Sequence, residues 1–250
     1  MRYLFLLMIM ISYPNISYPA RYQIDIDECL QKKAYEIASG EVGVTEKTGR
    51  NDGPRVEAYL RVTGLGKGYP YCAAGISWSY LQAAKSLNKT KSFIPFPITA
   101  GSQVVYNHVK SVGVQTKNIP SDGDMLVWRK KSSYNGHIAM IDSIGEKGWV
   151  YTIEFNTSSS NRGNQRDGGG VHRKKRNVLH PLGRMMVRGI VGLRSVHSDL
   201  CLKPKKKVII TKSDIVKKDH KKDFLEMFRD FLRIGVDIPY LLKPTNSHKL

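Results

Sequence analysis

Residues Gly136 to Thr157 read Gly-His-Ile-Ala-Met-Ile-Asp-Ser-Ile-Gly-Glu-Lys-Gly-Trp-Val-Tyr-Thr-Ile-Glu-Phe-Asn-Thr. Two runs rich in strand formers, His137 to Ile144 and Trp149 to Phe155, flank Gly145-Glu-Lys-Gly148, a pattern that spells an antiparallel hairpin. With the turn placed symmetrically on Glu146 and Lys147, His137 falls opposite Asn156 and Ala139 falls opposite Glu154. His137, Glu154 and Asn156 then share one face, where opposed side chains start about 5 Å apart and diagonal ones about 7 Å. The other face carries Trp149, Tyr151, Ile153 and Phe155 and reads as the core side.

Working outward, Met125 to Trp128 and Val187 to Val196 read as further strands, and the Gly, Ser, Asn and Arg stretch from Thr157 to Gly170 as a loop. The first half is helical instead. Glu28 to Ser39 places Leu30, Ala34, Ile37 and Ala38 on one side, with Gly40 to end it, and Pro54 to Val62 starts on a proline with Val56, Tyr59 and Leu60 at helical spacing. Cys72 opens a third, apolar helix behind Pro70, and Val104 to Val112 reads as a fourth. Helices first and strands second predict an α+β fold, N-terminal helices packed on an antiparallel sheet.

A thiol attacks only as thiolate, and an ordinary cysteine with a pKa of about 8.5 is barely ionised at neutral pH. The positive end of a helix dipole lowers that value at Cys72, a histidine can take the proton, and the same helix end offers N–H groups to an oxyanion. His137 is the candidate base, with Glu154 or Asn156 in reach to orient its ring. The bland alternatives are a buried structural cysteine and a solvated polar strand face. They predict neither a cysteine at a helix start nor a glycine, Gly136, before the histidine. His108, His172 and His180 stand in polar or loop settings and read as incidental.

At these residues the chain resembles the CHAP family of cysteine, histidine-dependent amidohydrolases and peptidases, within the NlpC/P60 papain-like superfamily. The matching pieces are Asn51 to Leu60, Gly68 to Ala74, Asp122 to Met125, Gly136 to Ile141 and Tyr151 to Thr157. The resemblance implies a papain-like fold and hydrolysis of peptidoglycan amide bonds, by an N-acetylmuramoyl-L-alanine amidase or an endopeptidase. It assigns Cys72 as nucleophile, His137 as base, Glu154 as orienter and Asn156 as an assisting residue. Asn51, Asp52 and Tyr71 are expected near the substrate, and no metal or other cofactor is expected. Two positions depart from the family pattern: Phe155 stands where glycine is usual, and Gly75-Ile76 where a bulkier hydrophobe commonly follows the alanines.

Forty Lys and Arg against twenty-one Asp and Glu leave the 250-residue chain at +19, which favours polyanions in general. Arg2, the apolar run Leu4 to Ile11 and a proline-bearing polar stretch follow the order of a secretory signal, too short to span a bilayer. A cut after Ala20 would put bulky Tyr18 where a small residue is preferred. Residues 1–20 are therefore expected to be a leader, 21–200 the catalytic domain and 201–250 a basic extension, in a protein that is secreted or held in the periplasm or envelope. In an oxidising compartment Cys29 and Cys201 are expected to pair and leave Cys72 reactive. Within the extension Phe224, Leu225, Phe228, Phe231 and Leu232 form a helical stripe, a candidate contact to the domain, to anionic envelope polymers or to a membrane surface. Competing readings are a protease or amidase on substrates other than cell wall, and a basic nucleic-acid-binding protein suggested by Arg173-Lys-Lys-Arg176 and Lys205-Lys-Lys207. Such runs are more often solvated surface, and no nucleic acid is expected as partner. A catalytically dead wall-binding module is disfavoured by the intact Cys, His and Glu set.

Overall fold

The computed structural model describes residues 18–131, 133–160 and 168–197. The leader run up to Ile11, Cys201 and the basic extension lie outside the described residues. In chain order the elements are β1 (Arg21–Asp27), α1 (Glu28–Gly40), α2 (Pro54–Arg61), α3 (Cys72–Ser86), α4 (Ser102–Val112), β2 (Val114–Thr116), β3 (Met125–Lys130), β4 (Gly136–Ile144), β5 (Trp149–Thr157), β6 (Gly170–Asn177) and β7 (Met185–Val196), with a 3-10 turn at Lys91–Phe93. The strands form one sheet in the order β2-β1-β7-β3-β4-β5-β6. It is antiparallel except where β1 runs parallel to β7. The α+β expectation holds, and so do the four helices and the hairpin.

Local chemistry explains the helix starts. Asp27 caps α1 by accepting the Leu30 N–H at 2.9 Å, with Glu28 in the first turn complementing the dipole. Pro54 occupies the first turn of α2, where its missing N–H costs nothing. On one face of the sheet Leu30, Ala34, Val56, Tyr59, Ile76 and their neighbours bury against Val127, Ile138, Met140, Ile153 and Phe155. On the reverse face Leu126, Trp128, Ala139, Ile141 and Val150 bury against Val178, Leu182 and Met185.

Both faces of the hairpin are therefore covered, which corrects the expectation of a single core face. Trp149 and Tyr151, read as core, are 37% and 45% exposed, while Val150 and Thr152 on the opposite face are fully buried. The turn differs as well. Positive φ falls on Lys147 (52°) and Gly148 (78°), and the Gly145 N–H donates to the Trp149 carbonyl, so the turn is one residue longer than the symmetric one. Near the turn Ser143 pairs with Tyr151 and Ile144 with Val150, one residue out of the expected register. A bulge at Asp142 absorbs the extra residue, and Ile141 opposite Thr152 and Met140 opposite Ile153 return to it on the side that leads to His137.

Three strands were not foreseen. β1 carries Ile24 and Ile26 between polar residues, and β2 pairs with its outer edge. β6 contains the basic run Arg173 to Arg176, read above as solvated, which pairs with β5. The folded part already includes residues 18–20: the Tyr18 carbonyl accepts from Asn118 Nδ2 at 3.2 Å and the Ala20 carbonyl from the Ile190 N–H at 2.9 Å.

Candidate active site

Cys72 is the first residue of α3 and is 3% exposed. Neither a side-chain cap nor an acidic residue occupies the first turn of that helix, so nothing there offsets the positive end of the dipole at the sulfur. His137, Glu154 and Asn156 are fully buried. Gly136 lets the strand enter at this point. A Cβ there would lie 2.2 Å from Gln103 Nε2 and 2.3 Å from the Trp128 carbonyl oxygen.

The imidazole Nε2 of His137 lies 3.0 Å from Glu154 Oε2. Its other ring nitrogen, Nδ1, is buried and has no hydrogen-bond partner among the described residues, and the nearby Cys72 thiol favours the protonated ring. The indole of Trp128, directly across from His137 in the ladder, lies 5.8 Å from it, centroid to centroid, and shields that flank.

Glu154 is held on both oxygens. Oε1 accepts from Thr152 Oγ1 at 2.7 Å and from Arg176 Nε at 2.6 Å, while Oε2 accepts from Arg176 Nη2 at 2.7 Å as well as facing His137. Burial alone drives the carboxyl pKa up, but the Arg176 fork and the imidazolium overcome it and bring Glu154 down to about 2. Burial likewise favours neutral His137, yet the hydrogen bonds and charges of Cys72 and Glu154 lift it to about 9. The arrangement favours an imidazolium between a thiol at a helix start and a carboxylate that is ionised at neutral pH, which is what thiolate formation requires.

The structure thus brings Cys72, His137 and Glu154 together. Asn156 follows on the same strand in the left-handed region, φ 59°, a conformation asparagine tolerates, at the irregularity where β5 leaves the β6 register. Asn51 and Asp52 build a loop. The Asp52 carboxylate accepts from the Thr48 N–H at 2.9 Å and from Thr48 Oγ1 at 2.8 Å, and the Asn51 carbonyl accepts from the Gly68 N–H at 2.9 Å. Tyr71 is fully buried against Tyr59, 6.0 Å between ring centroids, so it supports the start of α3 from within the core.

The CHAP domain family model matches residues 64–156. This chain carries a CHAP domain. No curated protein and no solved structure matches the chain. The CHAP domain supports hydrolase activity of the amidase or peptidase kind, and the α+β sheet with packed helices is consistent with the papain-like arrangement of that domain. The fold extends past both ends of the matched segment, since β1, β6 and β7 complete the sheet.

The two departures from the family pattern turn out to be one. A Cβ at Gly75 would lie 2.1 Å from Phe155 Cδ1, so the phenyl ring fills the space that a helix side chain would need. The ring also meets Tyr59 edge-on, 5.2 Å between centroids. Glycine on the helix thus makes room for the large residue on the strand.

Arg176 and Thr152 were not read from the sequence. Thr152 stands two residues before Glu154 on the same strand face, a spacing that could have revealed it. For Arg176 the local pattern carries no such signal, because a run of four basic residues reads as solvent-facing whichever of them points inward. Each member of that run has its own partner: Arg173 on Asp142, Lys174 on the carbonyls of Ser158, Ser159 and Ser160, Lys175 over the rings of Trp149 and Tyr151, and Arg176 on Glu154. Cys29 is disulfide-bonded, and among the described residues Cys72 is the free cysteine.

Proposed function

We propose that this protein is an exported peptidoglycan hydrolase that cuts amide bonds of the bacterial cell wall by acyl transfer at Cys72. The observation that carries the reading is the His137 imidazole held between Glu154 and the Cys72 thiol at the start of α3. His137 keeps Cys72 as thiolate, and the sulfur attacks a stem-peptide carbonyl to form a tetrahedral oxyanion that the N–H groups at the helix start receive. Collapse breaks the C–N bond, imidazolium gives its proton to the leaving amine, and water, deprotonated by the neutral imidazole, then releases the acyl group and restores the thiol. Glu154 orients the ring throughout, and Asn156 assists at the end of the same strand.

The wall as substrate is supported by the charge of +19, which draws the protein to anionic envelope polymers, and by the signal-like run at Leu4 to Ile11. The basic stretch beyond residue 200 is a candidate contact to those polymers or to the membrane surface. Digestion of purified peptidoglycan, with the new ends identified by mass spectrometry, tests the reading. New free amino ends without new reducing sugars are expected, and which amine appears separates an N-acetylmuramoyl-L-alanine amidase from an endopeptidase. New reducing sugar ends, or an intact wall, would overturn it.

A further inference from the structure

A carboxylate that orients a catalytic histidine must stay ionised and must not rotate. Glu154 is fully buried, so neither condition is met by water. Arg176 meets both. Its guanidinium approaches edge-on, Nε to Oε1 at 2.6 Å and Nη2 to Oε2 at 2.7 Å, the paired geometry that fixes the plane of a carboxylate as well as its charge. With Oε1 also taking the Thr152 hydroxyl, Oε2 is the oxygen presented to His137 Nε2.

Arg176 itself sits on β6, beyond the end of the matched CHAP segment at residue 156, and its side chain is 10% exposed. β6 is fastened to the end of β5 by more than its ladder. Lys174, two residues earlier, gathers the carbonyls of Ser158, Ser159 and Ser160 at 3.0, 3.2 and 3.2 Å. The loop between Glu41 and Glu46 pairs along the other side, where Gly43 and Val171 and then Val171 and Val44 exchange backbone hydrogen bonds of 2.9 Å. The strand that delivers the guanidinium is therefore braced on both sides.

We propose that Arg176 is a positioning residue of the Cys72, His137 and Glu154 system, acting through the Glu154 carboxylate that it orients and holds as an anion. The role rests on Cys72 being the nucleophile, as proposed above. Without Arg176 the burial of Glu154 is opposed only by His137 and the Thr152 hydroxyl, the carboxyl takes a proton at higher pH, and the imidazolium loses its counter-charge, so the thiolate loses the cation it is paired with.

The test uses the full-length chain and reads the rate of Cys72 alkylation by iodoacetamide across pH, the site being identified by peptide mass spectrometry, so that no wall substrate is needed. In Arg176→Gln the acid limb of the profile is expected to move up by about one pH unit or more, slowing alkylation on that limb about tenfold. Arg176→Lys, which keeps the charge and loses the fork, is expected to recover part of that shift. In a Glu154→Gln background, Arg176→Gln is expected to cause no further slowing, because the group through which it acts is gone. A folded Arg176→Gln with the wild-type limb would overturn the proposal. So would further slowing in the Glu154→Gln background, which decides the matter should Arg176→Gln alone fail to fold. An intact wall together with a shifted limb would remove the proposed substrate and leave this role standing.

Discussion

Two buried carboxylates, Asp124 and Glu154, are each gripped by an arginine fork, and they titrate in opposite directions. Asp124 receives Arg21 Nε at 2.7 Å and Nη2 at 2.9 Å, with the N–H groups of Ser121 and Leu193 at 2.9 and 3.0 Å. Burial still outweighs these partners, and its pKa stays above the usual carboxylate value. Glu154 has a similar fork and a second cation, the His137 imidazolium, and falls to about 2. One arginine does not offset the desolvation of an enclosed carboxylate here, whereas an arginine and an imidazolium together do. The first arrangement ties β1 to β3 and β7, and the second keeps an anion in place for chemistry.

The sharpest separation of the two is by mutation. Cys72→Ala removes the nucleophile and little volume, so hydrolysis is expected to fall by at least about 10⁴-fold with an unchanged melting temperature, and His137→Ala to cost nearly as much. Asp124→Ala leaves Arg21 buried without its anion and is expected to cost roughly 3–5 kcal/mol of stability, while the molecules that remain folded keep their turnover. Melting curves and rates measured on the same preparations check this. An Asp124→Ala protein that is stable but inactive would erase the distinction.

Within the site, Glu154→Gln keeps the shape and loses the charge, and a fall in kcat/KM of about 10–10³-fold is expected, smaller than for Cys72→Ala. Asn156→Ala is expected to cost less than Glu154→Ala. Steady-state rates that reverse the order would move the orienting role to Asn156.

The paired departures give a stability test. Gly75→Ala drives a methyl group into the Phe155 ring and is expected to destabilise by about 1–3 kcal/mol. Phe155→Leu opens that space, so Gly75→Ala in the Phe155→Leu background is expected to cost measurably less. Denaturant unfolding of the four proteins of the cycle gives the coupling directly. Additive costs would mean that the two positions do not share one space.

The mildest perturbation is pH. Glu154 is lowered in the folded state from 4.5, so its contribution to stability is present above about pH 4.5 and is lost as pH falls toward 2. His137 is raised from 6.5 to about 9, so its contribution is present below about pH 6.5 and is lost as pH rises through 9. Asp124 runs against Glu154: its raised value means that stability declines as pH climbs from 3.8 through its folded pKa. Above pH 6.5 the wild type is therefore expected to lose stability that His137→Gln lacks throughout, and chemical unfolding at pH 6 and pH 9 reads the difference. Hydrolysis is expected to decline along the same alkaline limb, as the imidazolium that protonates the leaving amine disappears.

Much of this was open to reading without coordinates, and for identifiable reasons. A cysteine behind a proline at the start of an apolar stretch is a local event, and so is a hairpin whose polar face carries His137 and Glu154, because helical and strand periodicities act within a few residues of chain. β1 is legible in the same way, from Ile24 and Ile26 alternating with polar residues. The register returns to the expected one at Ile141 and Met140 although the turn does not match, since the bulge at Asp142 cancels the extra turn residue. No local pattern could give that cancellation, because a bulge is settled by what the two strands must bury together.

Other features depend on partners distant in the chain. Glycine at position 75 and phenylalanine at position 155 each look like an irregularity until packing places one against the other. Arg176 looks like one of four equivalent cations, and only the pairing of β6 with β5 decides which of them turns inward to Glu154 and which face solvent. The composition of the chain set the chemistry available to the site, while the order of strands in the sheet determined which charges lost their water and had to be paired.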